Sequence, residues 1–465
     1  MAEKTKGELL QEQLLMDPKN MGELLDDQEL KAAQDFCEDY KKFLDRAKTE
    51  REAVDYTLEL LKGYGYAPFE PGRRYAPGEK FYVVNRGKAM IIATKGRRPV
   101  ADGVRIGASH IDSPRLDFKP RPLYEEAQLA YFKTHYYGGI KKYQWSAIPL
   151  SLHGVIVKKD GSSVKVTIGE DESEPIFCVT DLLPHLAKEQ MKLTMAEGIK
   201  GEQLNVLIGC HPFKDDKASE RVKLNIISLL FEKYGVVESD FLSAELCAVP
   251  AYPARDVGLD RAMIGSYGHD DRVCAYTSLM AEVEAKDPEY TTVTVFADKE
   301  EIGSTGATGL QSWFLRDFLE DLAQAEGVEV RHLLARSKCL SCDVNAAFDP
   351  AFSDVSERRN TAYINYGPVL TKYTGSGGKS GTNDADAETV AFVRRVLDDA
   401  GVIWQTGELG KVDAGGGGTV AKYVAAHNVD TIDLGVPVLS MHAPYEVVSK
   451  CDVYMTYKAM KAFYR

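Results

Sequence analysis

The sequence predicts an α/β protein: a mostly parallel sheet sandwiched by helices and interrupted by an inserted β-rich segment. Three observations carry this reading. After residue 262, apolar runs of strand length alternate with helical patterns, as expected for parallel strands joined by helices. Between about 116 and 262, proline becomes frequent and short strand-like runs dominate. The first 65 residues or so place apolar side chains at helical spacing. With 465 residues, two or three domains fit, or one large domain with an insertion. The division is a discontinuous α/β domain over 1–115 and 263–465, with N-terminal helices, and an inserted domain over 116–262.

The elements follow in order. Leu9, Leu10, Leu14 and Leu15, then Phe36, Tyr40, Phe43 and Leu44, mark the opening helices. The acidic charge of these helices favours packing on the protein body over binding a membrane. Runs bounded by Gly and Pro at 81–84, 89–93 and 104–108 read as strands, as do 155–157, 164–168 and 204–208 in the insertion. Beyond it come a helix at 273–284, a strand at 292–297, a helix at 310–323, a strand at 338–342 and a helix at 388–400. Strands near 431–434 and 438–441 precede a final helix from about Tyr454.

Composition narrows the partners. Against 57 Lys and Arg stand 70 Asp and Glu, a net charge of −13, so neither nucleic acid nor anionic membrane is expected as the main partner. No apolar run has the length of a membrane span, and the first residues lack a signal-peptide apolar stretch. Eight cysteines in so long a chain make no disulfide framework, which points to a reducing, cytoplasmic setting.

Ligands of open α/β sheets bind outside the carboxyl ends of the strands. Five stretches place acids or histidines there: Ser109-His110-Ile111-Asp112, Ser266 to Asp271, Asp298-Lys299-Glu300-Glu301, Asp343 after 338–342, and Met441-His442. Singly, each has an ordinary reading as a helix cap or a satisfied histidine. Jointly, two histidines and several carboxylates form the mixed N and O donor set of a pair of divalent metals such as Zn²⁺, Co²⁺ or Mn²⁺. Asp112, two residues from His110 in extended chain, shares its face and can fix the imidazole tautomer. Glu300 and Glu301 point in opposite directions, so one can bind metal while the other serves as general base.

The residues Gly107 to Leu116, containing His110-Ile111-Asp112-Ser113-Pro114, resemble the His-x-Asp-Ser-Pro motif of the aspartyl aminopeptidase family, metallopeptidase family 18. The same family pattern is matched in order by Tyr137-Gly138-Gly139 with Trp145, Asp298 to Ser304, Ser341-Cys342-Asp343, Gly367-Pro368-Val369 and Leu439 to His442. The resemblance implies a dizinc aminopeptidase acting on peptides. It further implies an α/β domain interrupted by a β-rich dimerisation domain, and assembly into a homo-oligomer, a tetrahedral dodecamer. Carried across, His110, Asp270 and Asp343 hold one metal. Asp270, Glu301 and His442 hold the other, with Asp270 bridging, Glu300 as general base and Asp112 supporting His110.

The sequence departs from the family pattern in three places. Asp271 follows Asp270 where many members have Asn, no histidine follows Asp343, and Lys372 is shifted by one place after Gly367-Pro368-Val369. The metal set survives, while the preference for acidic N-terminal residues depends on positions that have changed. His185, in Leu183-Pro184-His185-Leu186, resembles a segment that in relatives approaches a neighbouring subunit's active site, although a structural histidine fits equally.

Other motifs give simpler readings. Gly375 to Ser380 fails the Walker pattern because Tyr373 stands where glycine is required, which leaves a Gly-rich loop near the active site. Gly415 to Gly418, including Gly417, either lets the backbone approach a substrate beside Asp413 or makes a tight turn before a helix. The lone Cys339-Leu340-Ser341-Cys342 reads as two core residues. The expected activity is metal-dependent removal of N-terminal residues. The alternatives are a dinuclear N-acyl amino acid deacylase, or an inactive binding protein that keeps the fold.

Overall fold

The computed structural model describes residues 4–465. Its central sheet has nine strands in the order Ala67–Pro68, Lys80–Asn85, Ala89–Thr94, Thr291–Ala297, Val104–His110, Lys338–Ser341, Asp430–Gly435, Val369–Thr371 and Gln405–Thr406. The four middle strands, from Thr291–Ala297 to Asp430–Gly435, are mutually parallel. Ala89–Thr94 and Val369–Thr371 flank them antiparallel. The middle strands are buried along nearly their whole length because both faces are covered. Met90, Ile92, Phe296, Leu340 and Ile432 face the helices His269–Val283 and Lys450–Phe463. The alternate residues Ile91, Ile106, Val293, Val295 and Cys339 face Phe314–Ala325 and Val330–Leu334.

A seven-stranded antiparallel sheet draws its strands from residues 115–250. Its longest pairing, Arg115–Glu126 with Leu129–Tyr137, escaped the sequence reading. Pro120 and Pro122 interrupt the apolar pattern, and the register shifts between Phe118 and Leu123 to accommodate them. The 14-residue helix Arg221–Tyr234 was also not anticipated in this segment.

Two expectations need correction. The alternation of strands and helices after residue 262 implies one mostly parallel sheet that includes the strand near residue 438. Instead, Pro437–Leu439 belongs to a separate five-stranded sheet with Arg255–Val257, Met263–Ser266, Glu446–Ser449 and Asn345–Ala346. A short apolar run signals a strand but not its partners, which tertiary pairing decides. The first helix, Lys6–Leu14, forms with a Thr5–Glu8 capping box but buries no residue, and Leu14 is 69% exposed. Packing on the body starts at Met21, and the helix Asp27–Arg46 seats Ala33, Cys37, Tyr40 and Leu44 on one face.

Candidate metal centre

Three parallel strands deliver three of the five donors, with Glu300 beside them. Val104–His110 lies between Thr291–Ala297 and Lys338–Ser341, with Ala297 opposite His110 and Ser341 opposite Ala108. Their carboxyl ends therefore place His110, Glu300 with Glu301, and Asp343 side by side. The small sheet supplies the rest. Met263–Ser266 leads into Asp270, and the loop between Pro437–Leu439 and Glu446–Ser449 carries His442.

Two donor triads result, His110–Asp270–Asp343 and Asp270–Glu301–His442, each with ligand atoms within 4.8 Å of one another. His110 Nε2 is 3.2 Å from Asp270 Oδ1 and 3.8 Å from Asp343 Oδ1. His442 Nε2 is 3.2 Å from Asp270 Oδ2 and 3.5 Å from Glu301 Oε2. Asp270 thus faces both histidines, one oxygen each. Glu300 Oε2 lies 3.9 Å from His110 Nε2, beside the first triad without belonging to it.

Both tautomers are set by backbone carbonyls. His110 Nδ1–H donates to the Asp112 carbonyl at 3.0 Å, and His442 Nδ1–H donates to Gly139 O at 2.8 Å. A carbonyl only accepts, so Nδ1 carries a proton in each ring, and Nε2 is the atom that presents a lone pair to an ion when the ring is neutral. The glycines of Tyr137-Gly138-Gly139 matter because a Cβ on Gly138 would stand 3.2 Å from Glu301 Oε2, and one on Gly139 would stand 3.3 Å from His442 Nδ1.

Carboxylates behind the donors hold their main chain. Asp112 accepts the N–H groups of Glu300 and Glu301 at 3.1 and 3.2 Å and the Tyr137 hydroxyl at 2.8 Å. Asp112 therefore organises the glutamate pair as well as His110, which spacing alone did not reveal. Asp271 accepts the His110 N–H at 3.2 Å. Glu446 accepts the N–H groups of Asp270 and His442. Neither Asp271 nor Glu446 was picked out from sequence as a site residue. The Asp pair at 270–271 was a visible signal for the first, and nothing local marked the second.

The electrostatics suit cations. Burial pushes the carboxyls of Glu300, Glu301, Asp343 and Glu446 up, and neighbouring carboxylates add to the effect. Burial works against a charged His442, yet the hydrogen bond to Asp270 and the charges of Glu301 and Asp270 outweigh it and push the imidazole up to about 11. Glu301 Oε1 is buried with no hydrogen-bond partner, an arrangement that costs free energy unless something positive satisfies it. The mixed imidazole and carboxylate donors therefore fit divalent ions of the zinc class.

The remaining sequence-predicted residues lie outside the cluster and make no hydrogen bond or ion pair with it among the described residues. His185 is on the short 3-10 helix Pro184–Leu186 of the seven-stranded unit, exposed. Lys372 follows the strand Val369–Thr371 and stands 3.8 Å from Asp384. Asp413 lies in the exposed loop before Gly415, and Gly417 O accepts the Gly375 N–H, joining the two glycine-rich loops. Cys339 and Cys342 are buried free thiols, and burial pushes both up in pKa, as for inert core residues.

Paired acid and histidine triads, built where the carboxyl ends of a mostly parallel sheet meet a second small sheet, suit a metal-dependent hydrolase. The family follows from similarity. The sequence model of the family described as "Aminopeptidase I zinc metalloprotease (M18)" matches residues 43–464, and the chain belongs to that family, the zinc aminopeptidases. A Clostridium acetobutylicum relative named "Probable M18 family aminopeptidase 1" is 48% identical over 458 residues, covering 97% of this chain and 98% of that protein. The crystal structure of an M18 aminopeptidase from Thermotoga maritima superposes with a TM-score of 0.92 at 44% identity, covering 97% and 99% of the two chains. That of aminopeptidase I from Clostridium acetobutylicum also gives 0.92, at 46% identity, covering 97% and 100%.

Proposed function

We propose that the chain removes N-terminal residues from peptides at a dinuclear centre. In this reading His110, Asp270 and Asp343 hold one ion, while Asp270, Glu301 and His442 hold the other. The observation that carries it is the sharing of Asp270 between two histidines, each presenting Nε2 3.2 Å from a different oxygen of the same carboxylate. A shared anion between two cations offsets their repulsion. Bound there, divalent ions of the zinc class polarise the scissile carbonyl and make a water more acidic. Glu300, close to His110 but outside both triads, accepts the attacking water's proton and returns it to the departing amine. Either an open metal position or a nearby acid takes the substrate's free α-amine, which confines cleavage to the first residue.

Several features extend the reading. Acidic N-terminal residues are the preferred substrates, with Lys372 as the cation for their side chains. The loops bearing Asp413 and Gly417 border the substrate path. The seven-stranded unit is the assembly domain, and the assembly is a dodecamer. Its exposed Ile176, Leu186, Met191, Met195 and Phe231 support that role, as large apolar side chains that a neighbouring copy would cover. His185 then reaches an active site only from a neighbouring copy. The eight free thiols suit a reducing, cytoplasmic setting. Among the described residues no helix is long and apolar enough to cross a membrane.

The test is hydrolysis of aminoacyl-anilides and short peptides that are acidic, basic, apolar or N-acetylated. Each is run with metal-stripped protein and with protein given Zn²⁺, Co²⁺ or Mn²⁺. Metal-dependent release of free N-terminal residues, abolished by acetylation, is expected. Turnover of acylated substrates alone would replace this reading with the deacylase, and metal binding without turnover with the binding protein.

A further inference from the structure

Glu446 belongs to neither donor triad, yet it grips a member of each through the main chain. Its side chain is 1% exposed, and it pairs with Ser266 across the small sheet. Oε2 accepts the Asp270 N–H at 3.0 Å and Oε1 accepts the His442 N–H at 2.7 Å. One carboxylate thus closes two loops that reach the centre from distant parts of the sequence.

Both N–H groups have Glu446 as their acceptor, and each residue has one further tie. The Asp270 carbonyl accepts from Ser113 Oγ at 2.7 Å. The His442 ring donates to Gly139 O at 2.8 Å. His442 also sits at φ +64°, a left-handed conformation that a residue with a β-carbon adopts at a cost, so the loop needs a tether to keep it. The other triad shares Asp270 but has ties of its own: the His110 N–H goes to Asp271, and its ring goes to the Asp112 carbonyl.

We propose that Glu446 is a positioning residue for the Asp270–Glu301–His442 ion site, where it holds two of the three donors, and that the His110–Asp270–Asp343 site, where it holds Asp270 alone, depends on it less. The inference rests on the dinuclear reading given above. It makes the two sites separable by one substitution remote from the reacting atoms. Glu446→Gln keeps the shape but sets an amide N–H against one of the two backbone donors. Glu446→Ala removes both acceptors.

The experiment is titration of metal-stripped wild-type protein and of both variants with Co²⁺, read as visible absorption and as bound metal per chain. Substitution of residues that orient metal ligands typically weakens metal affinity about 10- to 100-fold. Glu446→Gln is expected to bind one equivalent with an affinity within a few-fold of wild type and the second about 10- to 100-fold more weakly, with excess Co²⁺ restoring kcat. Two equivalents bound with wild-type affinity would overturn the proposal, as would both sites weakening equally. Should Glu446→Ala fail to fold, the isosteric Gln variant decides alone. A wild-type protein that takes up only one equivalent would refute the dinuclear reading itself, and that shows before any variant is measured.

Discussion

Replacing Asp112 by Asn tests whether this carboxylate organises the general base. Its two oxygens accept from the Glu300 N–H, the Glu301 N–H and the Tyr137 hydroxyl. An amide leaves one oxygen in place and turns an NH₂ group toward at least one of these donors. A hydrogen bond to a charged group contributes about 1.5–3 kcal/mol, and a buried donor left facing another donor loses that contribution. If the loss is expressed in the transition state, kcat/KM falls about 10- to 150-fold. The assay is steady-state hydrolysis of an aminoacyl-anilide at saturating Zn²⁺, with thermal unfolding measured alongside. Tyr137→Phe is the companion variant, because it removes one donor but leaves both backbone bonds to the glutamates, and it should cost clearly less. A folded Asp112→Asn enzyme within about threefold of wild type, under about 0.7 kcal/mol, would refute the reasoning. So would a Tyr137→Phe variant as impaired as Asp112→Asn.

Three further outcomes are expected. Glu300→Gln should retain metal by elemental analysis and lose about 10²- to 10⁴-fold in kcat, the range for a general base; full activity would remove Glu300 from the mechanism. Asp270→Ala should lose both ions, because its two oxygens face both histidines, and retention of two equivalents would break the bridging assignment. Buried His153 bonds Glu52 on the N-terminal helix Glu50–Leu61 at 2.7 Å and Glu170 in the antiparallel unit at 2.9 Å. Burial opposes its charge, but these two carboxylates prevail and push it up to about 8. A raised value means the stabilisation is complete below the unfolded value of about 6.5 and fades as pH rises through about 8. The shift from 6.5 to about 8 corresponds to about 2 kcal/mol. His153→Gln should therefore destabilise more at pH 6 than at pH 9 in urea unfolding, and an equal gap at both would count against it.

The class of fold and the members of the cluster were readable in the chain because both are written locally. Apolar runs ending in His110, Glu300 or Asp343 announce strands of a covered sheet with chemistry at their carboxyl ends. The spacing of His110 and Asp112 likewise needed no distant information. What stayed hidden depends on contacts between residues far apart in sequence. Pro120 and Pro122 concealed a strand that only its partner Leu129–Tyr137 stabilises. The leucines of the first helix have helical spacing but no surface to meet, since spacing reports a face and not its partner. His442 reaches Asp270 through a second sheet rather than as an end of the first, and Glu446 holds both by main-chain hydrogen bonds across 176 and 4 residues. Side-chain identity thus determined which atoms could bind metal, whereas strand pairing and buried backbone hydrogen bonds, which form only in the folded chain, decided how those atoms face one another.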